Sequence, residues 1–380
     1  MTTSTLERPV APPHQPVRTS GVLDTADGGH GVLRTDGGHP SPHDIKVSPA
    51  LIRQYGLRRG DVVEGTCERP RALSGVEAVN GRPAHELHGR PHFRDLTPLH
   101  PRERLRLETP GGGPAPRIID LVAPVGKGQR GLVVAPPRTG KTVLLQQVAS
   151  AVAANHPECH LMVVLLDERP EEVTDMRRSV RGEVYASTFD RPAREHIALA
   201  GLALERAKRL VEQGRDVVVL LDSLTRLCRA HNTSAGAGGR TLSGGVDAAA
   251  LVGPKKLFGA ARLAEEGGSL TILATVLVDT GSRADDYFFE ELKSTGNMEL
   301  RLDRALADRR VFPAVDVTPS GTRREELLLP PAELSAVRGL RRALRARDPH
   351  TAYEALLERI RSTPGNAALL RQLKATVPGA

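Results

Sequence analysis

The residues best suited to chemistry are a lysine and a threonine placed behind a glycine. In Gly131-Leu-Val-Val-Ala-Pro-Pro-Arg-Thr-Gly-Lys-Thr142 an apolar run leads through a short turn into Gly-Lys-Thr. Gly140 lets the backbone approach a phosphate closely. The amides from Arg138 and Thr139 through Val143, at the start of a following helix, would offer that phosphate a positive helix end. Lys141 would reach the β- and γ-phosphates of ATP, and Thr142 would hold Mg²⁺. Ala135 stands where such loops normally begin with Gly. The pattern is that of a phosphate loop, against the plain alternative of a glycine turn with a surface lysine.

Two carboxylates follow apolar runs and complete a hydrolytic set. Asp222 closes Val217–Leu221 and is the natural second Mg²⁺ partner, unless it only caps a helix. Glu168 closes the run beginning at Leu161 and is the candidate to orient the attacking water. The alternative pairs Glu168 or Asp167 with Arg169. Arg323, in Ser320-Gly-Thr-Arg-Arg-Glu-Glu326, could reach the phosphates of a neighbouring subunit as an arginine finger, and Arg310 is a second candidate. Either also fits an ordinary surface arginine. Phe312 could stack on adenine or sit in a core. The stretch His231–Val246 is glycine-rich and long enough to be a functional loop. Arg240 and Arg283 are candidate phosphate contacts, against a reading of this stretch as plain surface loop.

These residues need a scaffold that brings strand ends together. Leu161–Leu166, Val217–Leu221 and Ser269–Val278 are unbroken apolar runs, the mark of buried parallel strands. Helical stretches such as Arg194–Val211 lie between them. Residues 131–330 therefore read as an α/β domain with a parallel sheet whose ligand sits at the carboxyl ends of the strands. Residues 331–380 read as two or three helices. Upstream, Gly31–Arg34, Asp44–Val47 and Asp61–Cys67 are short β pieces with a small helix between them, so residues 21–96 suggest a small barrel or sandwich. Residues 97–130 read as a connector, and 1–20, rich in Pro, Thr and Ser, as disordered.

At 380 residues and a net charge of +8, the chain suits two domains and a polyanionic partner. An Arg-, Ala- and Gly-rich composition of GC-rich origin would give the same charge. Three dispersed cysteines, no long apolar run and no apolar leader point to a reducing cytoplasm and exclude a membrane partner.

Taken together, these motifs resemble those of the bacterial transcription termination factor Rho family. The likeness runs from Leu96-Thr-Pro-Leu-His100 to Thr322-Arg-Arg-Glu-Glu-Leu-Leu328. It includes Leu166-Asp-Glu-Arg-Pro-Glu-Glu-Val-Thr174, Asp222-Ser-Leu-Thr-Arg226, Thr241-Leu-Ser-Gly-Gly-Val-Asp-Ala248 and Arg310-Val-Phe-Pro-Ala314. The resemblance implies a RecA-like ATPase core behind an OB-like RNA-loading barrel. It also implies a homohexameric ring that hydrolyses ATP and moves single-stranded RNA, reaching RNA polymerase only through the transcript. It gives nucleotide contacts to Arg169 and to Gly126, Lys127, Gly128, Gln129, Arg130 and Gly131. One channel RNA loop would contain Arg240, Thr241, Leu242, Ser243, Gly244 and Gly245, and the other Asp279–Arg283. In the barrel, the family's aromatic positions hold His30, Val32 and Lys46, so RNA contact would fall to His30, Arg34 and Lys46. On the same resemblance, the helical N-terminal extension of many relatives is expected to be missing. Base stacking contributes about 1–3 kcal/mol per base, so weakened or altered RNA loading is expected. Two other readings share parts of the pattern: a non-translocating ATP-binding paralogue, and a rotary or export-type ring ATPase subunit.

Overall fold

The short β pieces near the N-terminus pair into one antiparallel sheet. The computed structural model describes residues 17–25, 29–87, 89–235, 242–346 and 348–376. The chain divides into two units, Met1–Gly89 and Arg90–Ala380. In the first, β1 (Val17–Thr25), β2 (Gly31–Arg34), β3 (Ile45–Val47), β4 (Val62–Cys67), β5 (Gly75–Val79) and β6 (Arg82–Pro83) lie in the order β3-β2-β1-β4-β5-β6. Helix α1 (Pro49–Gln54) starts at Ser48, whose hydroxyl accepts from Leu51 N. Lys46 pairs its backbone with Arg71 and Leu73, which curls β3 towards the chain entering β5 and makes the sheet barrel-like. Leu23, Leu33, Val63 and Val79 are fully buried inside it. Strand β1 begins at Val17, earlier than the expected start at Gly21, because Val17–Val22 pairs with Cys67–Val62. The rest of the stretch expected to be disordered, residues 1–16, lies outside the described residues.

In the second unit three two-residue strands come first: β7 (Pro98–Leu99), β8 (Arg104–Leu105) and β9 (Val125–Gly126). The connector is not merely loop. Helix α2 (Pro114–Val122) crosses it, started by a proline at its first position, and buries every residue but Pro114. Its Arg117 donates to Thr363 O and Asn366 Oδ1, tying the connector to the C-terminal helices.

The sheet that carries the site follows in strand–helix alternation. It comprises β10 (Arg130–Ala135), α3 (Lys141–Asn155), β11 (His160–Glu168), α4 (Pro170–Ser179), β12 (Glu183–Thr188), α5 (Ala193–Val211), β13 (Asp216–Asp222) and α6 (Leu224–Ser234). Then come α7 (Val252–Phe258), β14 (Arg262–Ala264), β15 (Ser269–Leu277), α8 (Arg283–Lys293), β16 (Met298–Leu302), α9 (Arg304–Asp308) and β17 (Val315–Thr322). The order is β12-β11-β13-β15-β10-β16-β17. Along this order the pairs are parallel except β16 with β17, and off it β14 pairs antiparallel with β15 and with β7. The unbroken apolar runs are buried on both faces, as parallel strands require. Helices α10 (Pro331–Arg345), α11 (Pro349–Ser362) and α12 (Asn366–Thr376) pack into the core that contains α2 and α3. The tail is thus part of the same body. Among the described residues no helix is long and apolar enough to cross a membrane.

Leu220, fully buried in β13 one residue before the strand's last apolar position, reports on this core. Leu220→Ala should cost about 2–5 kcal/mol, read as a lower urea midpoint of the full chain. An unchanged midpoint would contradict its packing.

Candidate nucleotide and RNA sites

Gly140 ends the turn after β10 with φ +84°, a left-handed conformation that suits glycine. A side chain there would also lie about 3.5 Å from the Phe312 ring. Thr139 closes the turn by donating to Pro136 O at 2.8 Å, and Arg138 is left-handed and exposed. Lys141 opens α3 and reaches across two other strands. Its ammonium donates to Glu168 Oε1 at 3.1 Å and to Asp222 Oδ1.

Both carboxylates are buried, at 3% and 1% exposure. Strand β11 shifts register between Leu166 and Glu168, and Asp167 between them has φ 58°. This bulge turns Glu168 into the site and leaves Asp167 partly outside. Glu168 is also held by Arg226 Nη1 at 2.5 Å, and not by Arg169. Burial pushes its carboxyl up, but Lys141 and Arg226 outweigh that and hold its pKa below the usual range. Asp222 accepts from Thr275 Oγ1 at 2.8 Å. It does not cap α6; Ser223 does, accepting from Arg226 N.

Thr142 Oγ1 donates to Glu172 Oε2 at 3.1 Å, and Arg169, at the start of α4, lies 3.7 Å from the other oxygen of Glu172. The donors beside Lys141 are thus a hydroxyl and a carboxylate, Thr142 and Asp222, which match the oxygen preference of Mg²⁺. Next to the loop a cavity of about 500 Å³ is lined by Gly140, Val143, Gln147, Phe312 and Arg361, among others. Phe312 is half-exposed there and not a core residue.

The structure does not bring Gly126–Gly131 to this loop. Strand β10 runs from Arg130 to Ala135, about 16 Å at 3.3 Å per step, with this stretch at its start and the loop beyond its end. Lys127 is buried and engaged with Glu103 at 2.6 Å, Asp216 at 2.8 Å and Glu158 at 3.3 Å. Burial alone would lower its pKa, and Asp216 and Glu103 raise it instead. Gln129 donates to Asn297 Oδ1, and Gly128 passes so close to Leu263 that a Cβ would lie 2.3 Å from its nitrogen. These residues brace the amino ends of the strands. Arg323 belongs to the same end, its amide donating to Asn297 O. Arg130, its pKa lowered by burial and by the charges of Arg262 and Arg323, lies near it. Arg310, exposed with φ 61°, is at the other end of β17, two residues before Phe312. Eight residues of strand separate Arg310 from Arg323, so one phosphate cannot receive both from one chain.

The two loops expected to carry RNA lie side by side. Ser243–Gly245 forms a tight turn in which a Cβ on Gly244 would lie 2.8 Å from Arg283 O. Leu242 N donates to Val246 O, and Arg283 is exposed at the start of α8. Arg240 and Thr241 lie outside the described residues. Helix α6 links these loops to the carboxylates, and the sequence reading missed it. Arg226 grips Glu168, Arg229 clamps buried Asp285 of α8 at 2.5 and 2.9 Å, and Asn232 Oδ1 accepts from Asp247 N. Their spacing of three along one helix, starting just after Asp222, was the available signal.

In the first unit His30 and Lys46 are exposed, and Lys46 lies opposite Val32 across β2 and β3. Arg34 is not a free cation. It pairs with Asp24 at 2.8 Å and Asp44 at 2.6 Å. Tyr55 packs on the core of this unit, and Phe93 is buried in the second unit beside Arg262. A groove of about 360 Å³ carries exposed Arg18, His43, Arg69 and Arg71 instead.

Residues 115–322 match the model of the ATP synthase alpha/beta family, nucleotide-binding domain, and residues 19–85 that of the Rho termination factor, RNA-binding domain. A type III secretion system ATPase of pathogenic bacteria shares the fold, with a TM-score of 0.62 over 82% of this chain and 94% of that one, at 21% identity. Fold and site therefore define an α/β ATPase core joined to an RNA-binding unit. The chain is 70% identical to transcription termination factor Rho of Streptomyces coelicolor, covering 99% of this chain and 90% of that protein. It is 58% identical to that of Streptosporangium roseum, covering 98% and 99%. It is 55% identical to that of Mycobacterium tuberculosis, covering 96% of this chain and 62% of the longer relative. The chain belongs to the transcription termination factor Rho family.

Lys141→Met leaves two buried carboxylates without their shared ammonium and should cost about 3–5 kcal/mol at pH 7. Because the folded Glu168 pKa is depressed, its pairing stabilises above the unfolded value and is lost as pH falls through the folded one. Urea unfolding should therefore show the deficit narrowing below about pH 4.5. A deficit independent of pH would contradict the clamp.

Proposed function

We propose that this chain is an ATP-hydrolysing, RNA-stimulated translocase of transcription termination. It works as a cytoplasmic homohexameric ring that reaches RNA polymerase only through the transcript. The observation that carries this reading is the Lys141 clamp on Glu168 and Asp222. On ATP binding Lys141 moves to the β- and γ-phosphates, and Glu168, still held by Arg226, orients the attacking water. Thr142 and Asp222 would hold Mg²⁺, which would supply neutralisation of the phosphate charge. Phe312 receives the adenine in the adjoining cavity, and Arg169 lies at the phosphate edge. Arg323, at the opposite end of the sheet, serves the nucleotide of the neighbouring subunit, and Arg310 stays at the rim of its own pocket. Helix α6 carries the change at Glu168 to the turns at 242–245 and 279–283, which grip RNA in the channel.

The second reading, an ATP-binding paralogue that does not translocate, rests on the aromatic-free face of the first unit. It leaves the buried Glu168 without a task. ATP turnover with and without polycytidylic RNA separates the two. Wild type should be RNA-stimulated, and Glu168→Gln should lose about 10²–10⁴-fold. Wild-type turnover that is absent, or indifferent to RNA, rejects the translocase.

RNA loading by the first unit rests on phosphate contacts from Arg18, Lys46, Arg69 and Arg71 and not on stacking. The full chain should bind polycytidylic and polyadenylic RNA alike, with affinity falling steeply as salt rises. Tight pyrimidine-preferring binding would sink this view.

A further inference from the structure

One carboxylate beside the phosphate loop has no part in the scheme above. Glu172 stands in the first turn of α4, where an acidic residue ordinarily serves only the helix dipole. Its Oε2, however, reaches a residue thirty positions away and accepts the Thr142 hydroxyl at 3.1 Å. The side chain is 30% exposed, and its other oxygen faces Arg169 at 3.7 Å.

We infer that Glu172 is a positioning residue of the nucleotide-bound Mg²⁺ site, fixing the Thr142 hydroxyl so that its lone pair faces the ion. The inference rests on the reading of Thr142 as a metal ligand. A hydroxyl that coordinates a cation must send its proton elsewhere, and an acceptor fixed on a separate helix decides where. Glu168 and Asp222 are both engaged by Lys141, whereas Glu172 meets Thr142 directly. The Pro170 start of α4 and the Gly140 start of α3 set the two helix ends against each other. Mg²⁺ keeps several waters when it binds with a nucleotide. A carboxylate one hydroxyl away is a suitable acceptor for them, which a neutral side chain matches only in part.

The test is ADP binding to the full chain by calorimetry, in EDTA and in excess Mg²⁺, for wild type, Glu172→Gln and Glu172→Ala. The quantity read is the factor by which Mg²⁺ tightens ADP. That factor should fall by about 10-fold or more in Glu172→Ala, and by less in Glu172→Gln, whose amide oxygen still accepts the Thr142 proton. Affinity in EDTA should stay equal or rise, since a negative charge near the phosphates has gone. A purely structural Glu172 would weaken both conditions together, or neither. An equal Mg²⁺ factor in all three proteins overturns the inference and leaves the nucleotide site intact. No Mg²⁺ factor in wild type overturns the metal reading as well. Should Glu172→Ala fail to fold, the Glu172→Gln factor decides alone.

Discussion

A single ammonium group holds the carboxyl edge of the sheet together. Burying one carboxylate costs several kcal/mol unless it is paired, and here two are buried on different strands. Glu168 ends β11 and Asp222 ends β13, while Lys141 comes from the turn after β10, which is separated from β13 by β15. Thr275 of β15 fills the gap by donating to Asp222. Four adjacent strand ends are thus tied to one point. This geometry explains why the turn must be tight and left-handed at Gly140: Lys141 has to leave the helix start pointing back over the sheet. A triphosphate that draws Lys141 away must leave Glu168 on Arg226 and Asp222 on Thr275, so each carboxylate has a partner prepared in advance.

The opposite edge of the sheet is equally organised, and for a different end. Lys127, Gln129 and Arg130 spend their hydrogen bonds on the amino ends of neighbouring strands, and Arg323 sits among them. The repulsion among Arg130, Arg262 and Arg323 is the reverse of the Lys141 clamp. One edge is a cation surrounded by carboxylates, and the other a set of cations near one another. Two copies that meet edge to edge would bring positive groups to a phosphate bound at the clamp. That complementarity supports the proposed ring with shared sites.

The scaffold was legible in the sequence wherever burial writes an unbroken pattern. Val217–Leu221 and Leu161–Leu166 could only be inner strands, and the polar residues that end them had to share an edge. The phosphate loop was legible because its turn demands glycine. Helix α2 was not, since Gly111–Gly113 in front of it and Pro114 at its start read as loop although Ile118, Ile119 and Leu121 are core residues. Lys127 misled for another reason: a lysine among glycines looks like a phosphate contact, and only its neighbours Glu103, Glu158 and Asp216 reveal its structural use. Arg34 misled likewise, since Asp24 of β1 and Asp44 just before β3 neutralise it. Glu172 and Arg226 left the weakest trace. Each acts through a contact between elements distant in sequence, and spacing along its own helix does not name the partner.

The same distinction separates the two units. In the ATPase core the buried groups Lys141, Glu168, Asp222 and Thr275 are structural partners of one another. Replacing Lys141, Glu168, Asp222 or Thr275 strands a buried charge or hydroxyl, so a change there disturbs folding as well as chemistry. On the face of the first unit the side chains are exposed and act singly. Val32 and Lys46 stand where aromatics are expected, yet Leu23, Leu33, Val63 and Val79 close the core behind them without their help. A base-stacking surface can therefore be exchanged for a cationic one at little cost to the barrel. Stability guards the site that burns ATP, whereas only RNA binding itself guards the surface that gathers RNA.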